Sequence, residues 1–110
     1  DPCDLARNSG IYEEPRYIMG KIPGLNLVEL KENRKYCNCC GSGGDLLASN
    51  QGLSLDIAGR KVQEILDTGV ETAVTACPSC VRAIHMAKTA QKAKLDILDI
   101  TEVVWKAMNL

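Results

Sequence analysis

The apolar positions along this chain fall into two rhythms, one helical and one extended. From about Leu53 to Thr68, residues Ala58, Val62, Ile65 and Leu66 form one helical stripe, and Gly69 is placed to cap its end. Val70 to Ala76 is a short apolar run that predicts a buried strand ending at Cys77. Pro78 and Ser79 open a helix running to about Lys92, with Val81, Ile84 and Ala87 or Lys88 at helical spacing. Leu95 to Leu98 predicts a second short strand, and Thr101 begins a terminal helix through Val103, Val104, Trp105 and Met108. Upstream, Tyr12 to Lys21 reads as a short helix whose early carboxylates suit the helix dipole, and Pro23-Gly24 reads as a turn. Leu25-Asn26-Leu27-Val28-Glu29-Leu30 mostly alternates and predicts a strand. Asp1 to Leu5, Lys31 to Lys35 and Gly41 to Gly44 read as loops.

Strands alternating with helices imply parallel β-α-β units. The expected fold is α/β: a short, mostly parallel sheet flanked by helices, with cysteines converging at strand carboxyl ends. Ligands of open α/β sheets sit beyond those ends. Cys77 is expected at one of them and Cys3 at another.

Composition narrows the class. The chain has 110 residues, 45% apolar and 25% charged, with a net charge of -1. That is enough for one domain with one core. With no basic excess, one Trp and three Tyr, a nucleic-acid surface is not expected. No apolar run is long enough to span a bilayer, so direct membrane insertion is not expected. The chain starts with Asp and shows no signal peptide, which reads as a piece of a longer or processed chain.

The six cysteines carry the chemistry. Cys3 stands alone. Cys39 and Cys40 are adjacent and run into Gly41, Ser42, Gly43 and Gly44, and Cys77-Pro78-Ser79-Cys80 is a Cys-x-x-Cys. A disulfide framework fits poorly, because the apolar content suffices for a core and adjacent cysteines are awkward mutual partners. A reducing cytoplasm fits better. A tetrahedral structural metal takes four ligands. Five thiols, two of them adjacent and so suited to different metal atoms, favour a multinuclear site, with iron and sulfide the leading candidate. The helix opening at Pro78-Ser79 would aim amides at Cys77 and Cys80, and the glycine loop could add more.

These residues resemble the cysteine-rich CCG domain. Cys3, Cys39-Cys40-Gly41 and Cys77-Pro78-Ser79-Cys80 match its motif. The flanking Asp1-Pro2-Cys3, Arg7, Tyr12-Glu13-Glu14-Pro15-Arg16, Thr75-Ala76 and Leu98-Asp99-Ile100-Thr101-Glu102 agree with it. The domain occurs, usually twice, in heterodisulfide reductase catalytic subunits. It also occurs in iron-sulfur subunits of glycolate, lactate, glycerol-3-phosphate and succinate dehydrogenase systems. The resemblance implies that Cys3, Cys39, Cys40, Cys77 and Cys80 hold a noncubane [4Fe-4S] cluster that takes part in reducing a disulfide of the coenzyme M and coenzyme B type. The implied partners are a second CCG domain of the same subunit, an electron-donor iron-sulfur, haem or flavin subunit, and a thiol or disulfide substrate. The implied location is cytoplasmic or peripheral on a membrane complex, and residues 1–110 would be the C-terminal half of a two-copy subunit. The alternative is a zinc-stabilised structural or electron-relay domain, since one such domain in succinate dehydrogenase relatives binds zinc.

The chain departs from the family pattern in places. Asp45 stands near the glycine loop, Asp4 stands where His is common, and Cys37 has no counterpart in the motif. Cys37 reads as a bystander thiol. His85 shares a predicted helix with Cys80 but points away from the cysteines. Lys31, Arg34 and Lys35 read as a solvated loop, and Arg7 and Arg82 are candidate counter-charges. Glu13 and Glu14 read as helix-start charges. Trp105 and Met108 read as core or as an interface with the missing half.

Overall fold

The computed structural model describes residues 1–41 and 46–108. Two short parallel strands, β1 (Thr72–Thr75) and β2 (Asp96–Asp99), pair in the register Thr72 with Asp96 through Thr75 with Asp99. The helix α4 (Pro78–Ala90) connects them, so β1-α4-β2 is the expected crossover unit. The preceding helices are α1 (Glu13–Gly20), α2 (Leu46–Ser49) and α3 (Gln51–Asp67), and α5 (Ile100–Ala107) follows β2.

The core lies between α3 and α4. Ala58, Val62 and Ile65 of the α3 stripe meet Ala83, Ile84 and Ala87 of α4, with Leu95 beside them. Cys40 and Cys80 belong to the same buried cluster, so the thiols are built into the packing. Local chemistry sets the helix ends. The Asn50 side chain accepts the Leu53 N–H at the start of α3, and Gly69, at φ +80°, follows its end. Asp99 and Glu102 form a reciprocal capping box on α5. Among the described residues no helix is long and apolar enough to cross a membrane.

Four sequence expectations need correction. Leu25 to Leu30 forms no regular element and pairs with no described strand, and Leu25, Leu27 and Val28 are exposed. Alternation marks a chain able to form a strand, but a strand exists only with a partner edge. Asp4–Asn8 is a short π-helical turn with Cys3 at its start, not a plain loop, and no described strand leads into Cys3. Trp105 and Met108 are more than half exposed on α5, which rules out the core reading. The β1 strand is also shorter than predicted and only half-buried. Of the glycine loop, Ser42, Gly43, Gly44 and Asp45 lie outside the described residues.

Candidate metal centre

Cys77 sits two residues beyond the carboxyl end of β1, in the N-cap position of α4. Pro78 takes the first helical position, where a missing N–H costs nothing. Cys80 follows one turn on, buried, so both sulfurs stand at the positive end of a 13-residue helix. This part of the site was legible in the sequence, because Cys-Pro-x-Cys after an apolar run defines a strand-to-helix turn.

Cys40 reaches the same place from far away in sequence. Its free thiol lies close enough to that of Cys80 to act on it, as does the free thiol of Cys77. The Cys80 thiol is pushed far above its ordinary range, first by the neighbouring Cys40 thiol, then by burial, then by the negative charge of Cys40 and Cys77. Thiols that act on one another in this way resist ionising together, and a cation relieves that conflict.

Gly41 shapes the turn after Cys40. Its φ is +89°, and a Cβ there would lie 2.8 Å from the Ser54 carbonyl oxygen and 2.9 Å from Ile57 Cβ. The Ser54 hydroxyl, buried on α3, donates to the Gly41 carbonyl at 2.7 Å. The Gly41 N–H donates to Cys39 Sγ at 3.2 Å. The Cys-Cys-Gly turn is therefore seated directly on α3, and only glycine fits.

Cys3, Cys40 and Cys80 line one cavity of about 770 Å³, whose walls also include β1 and the segment 25–30. Cys77 joins this group through Cys80. Cys39 does not: it is exposed, and its sulfur faces its own turn. Among the described residues no three His, Cys, Asp or Glu side chains form a ready-made metal-binding geometry. His85 is exposed and Arg82 largely so on α4, and Cys37 is buried but does not line the cavity. Arg7 donates to the Cys37 carbonyl at 3.4 Å, which ties the Cys3 turn to the approach to Cys39-Cys40.

A carboxylate clamp holds Cys3 in place. Arg16 donates to both oxygens of Asp1, at 2.7 and 2.5 Å, and to both oxygens of Glu29, at 2.8 and 2.9 Å. Asp1 also accepts the Arg34 backbone N–H at 2.7 Å, and Arg34 pairs with Glu13. The Arg16 hydrogen bonds hold the Glu29 carboxyl below its usual range. Asp1 and Glu29 line the cavity, yet both are engaged by Arg16, and the other two lining carboxylates, Glu32 and Glu71, are exposed, so the thiols of Cys40 and Cys80 are its buried donors. That donor chemistry suits iron-sulfur or another thiophilic metal. Arg16→Lys keeps the charge but loses the planar fork. It should lower stability by about 1–2 kcal/mol in urea unfolding, because the Asp1 carboxylate is only 7% exposed.

Sequence reasoning missed Lys61. It is buried on α3, lines the same cavity, and donates to the Asn38 carbonyl at 3.2 Å. The available signal was position: Lys61 falls three after Ala58 and four before Ile65, inside the apolar stripe.

Known proteins resemble this chain over nearly its whole length. Over its full length the chain is 36% identical to a subunit of the dihydromethanophenazine:CoB–CoM heterodisulfide reductase of Methanosarcina acetivorans, covering 27% of that protein. Over 94% of its length it is 32% identical to a subunit of the CoM/CoB fumarate reductase of Methanothermobacter marburgensis, covering 20%. Over 99% it is 30% identical to the EtfAB:quinone oxidoreductase of Syntrophomonas wolfei, covering 16%. The chain thus spans about a quarter or less of these relatives. No solved structure matches it. The CCG cysteine-rich domain model matches residues 1–85, which takes in Cys3, the Cys39-Cys40-Gly41 turn and the Cys77–Cys80 helix start, and the chain belongs to that family.

Proposed function

We propose that this chain is the iron-sulfur redox domain of a heterodisulfide-reductase-like oxidoreductase. In this reading Cys3, Cys39, Cys40, Cys77 and Cys80 hold a noncubane [4Fe-4S] cluster that serves disulfide reduction. The observation that carries it is that buried Cys40 and Cys80 come together on a cavity wall shared with Cys3, with half-buried Cys77 acting on Cys80 just beyond the end of β1. When bound, the cluster supplies electron transfer and iron sites able to take a sulfur ligand.

The chain's own residues would do the rest. The N-terminus of α4 stabilises thiolate charge at Cys77 and Cys80. The Arg16 clamp fixes Cys3, and the Gly41 seat fixes Cys40. Cys39, exposed beside the glycine loop, turns inward to complete the set. The cavity along β1 is large enough to admit a small thiol or disulfide. The net reaction takes two electrons from a donor subunit and two protons, and converts one disulfide into two thiols. The domain would work beside a second copy in the same subunit, and the exposed Trp105 and Met108 of α5 are the proposed contact with it.

The test is to purify the chain anaerobically and assay metal and acid-labile sulfide, with an EPR spectrum after mild oxidation. About four irons and four sulfides per chain, with a signal perturbed by added thiol, is the expected result. One zinc and no sulfide would overturn it.

A further inference from the structure

Lys61 is an unusual residue to find where it is. Its side chain belongs to the α3 stripe between Ala58, Val62 and Ile65, and only 8% of the residue is exposed. An ammonium has three donors, and Lys61 shows one acceptor among the described residues, the Asn38 carbonyl. It forms no ion pair with a described carboxylate, although Asp1 and Glu29 line the same cavity, because Arg16 engages both. Burying a cation without an anion is costly. Two further carboxylates on the cavity wall, Glu32 and Glu71, are exposed to solvent, so the buried anion-forming groups that share its cavity are the thiols of Cys40 and Cys80, with half-buried Cys3 beside them. Its anchor, Asn38, immediately precedes Cys39-Cys40, so the ammonium is tied to the turn that presents them.

We infer that Lys61 is the fixed counter-charge of the thiolate centre: a positioning residue whose ammonium offsets the negative charge of the ligated cysteines and anchors the turn that carries two of them. This rests on the reading of those thiols as metal ligands. It makes a prediction of opposite signs. Without metal the buried ammonium has no paired anion among the described residues, so removing it should not harm the fold. With metal, a set of thiolates around a divalent ion is net negative, so removing it should weaken binding.

The experiment titrates the metal-free 110-residue chain with Cd²⁺ and follows the thiolate-to-metal charge-transfer absorption. Wild type, Lys61→Met and Lys61→Arg are compared, and their metal-free thermal midpoints are measured alongside. Lys61→Met should bind Cd²⁺ about tenfold more weakly. Its metal-free midpoint should equal or exceed that of wild type, because an apolar side chain of similar length replaces an uncompensated charge. Lys61→Arg should keep most of the affinity. Equal Cd²⁺ affinity in Lys61→Met would overturn the inference. So would a lower metal-free midpoint in Lys61→Met with a binding loss that Lys61→Arg shares, since that describes a structural strut. A wild-type chain that binds no Cd²⁺ would overturn it outright.

The two readings fail separately. Lys61-sensitive Cd²⁺ binding, in a protein that carries no iron or sulfide when purified anaerobically, keeps the counter-charge and removes the iron-sulfur function. Iron and sulfide present, with Lys61 dispensable for Cd²⁺, does the reverse.

Discussion

Cys40→Ser should strip the anaerobically purified chain of its iron and acid-labile sulfide, while Cys37→Ala should retain both. Cys40 is buried in the core cluster together with Cys80, and both share a cavity wall with Cys3. Groups that only orient a metal ligand are worth about 10–100-fold in affinity, so loss of a ligand at the centre of the set should cost at least that. Cys80→Ser should behave like Cys40→Ser. Cys37 is equally buried, but it does not line the cavity, so its removal costs only packing. Metal and sulfide analysis of the three variants, with a circular dichroism spectrum to confirm folding, decides the matter. Retention of the full metal content in Cys40→Ser would remove Cys40 from the ligand set. Loss in Cys37→Ala with the fold intact would add Cys37 to it.

How much of this is legible in the sequence depends on the range of the interactions. Cys77, Pro78 and Cys80 are legible because strand, cap and first helical turn are contiguous, and local rules govern them. The α3 stripe and the β1-α4-β2 unit are legible for the same reason. The partnership of Cys40 with Cys80 is expected only through family resemblance, since no local rule pairs residues so distant in sequence. Leu25 to Leu30 misleads because alternation reports a chain's capacity to pair, whereas pairing depends on a neighbouring edge that the pattern does not encode. Lys61 and Arg16 are hidden in opposite ways. The stripe makes Lys61 look like an interruption, although its position puts it inside. Arg16 looks like an ordinary charge on a short helix, although it holds Asp1 and Glu29 together. Asp1 and Arg16 both belong to the flanking residues that carry the family resemblance, and in this chain they meet in the clamp.

Gly41→Ala is expected to be the most damaging change that removes no sulfur. Two costs combine at this position. A residue with a Cβ at φ +89° loses about 1–2 kcal/mol to left-handed strain. The added methyl would also lie 2.8 Å from the Ser54 carbonyl oxygen and 2.9 Å from Ile57 Cβ, and overpacking of that kind costs about 1–3 kcal/mol. The nearest obstacles are helix backbone and a β-branched carbon, so neither can swing away. The expected loss is therefore about 3 kcal/mol in urea unfolding. Gly69→Ala is the control, because Gly69 has φ +80° but nothing within 4 Å of the added Cβ. It should lose about 1 kcal/mol, from backbone strain alone. The difference between the two variants isolates the clash with α3. The clash also has a chemical consequence. If the turn lifts off α3 to relieve it, Cys40 moves away from Cys80, and the surviving folded molecules should bind Cd²⁺ more weakly than Gly69→Ala does. Equal stability losses in the two variants would mean that the turn is not seated on α3. A full loss of stability with unchanged Cd²⁺ affinity would mean that the seat supports the fold but does not position the thiol.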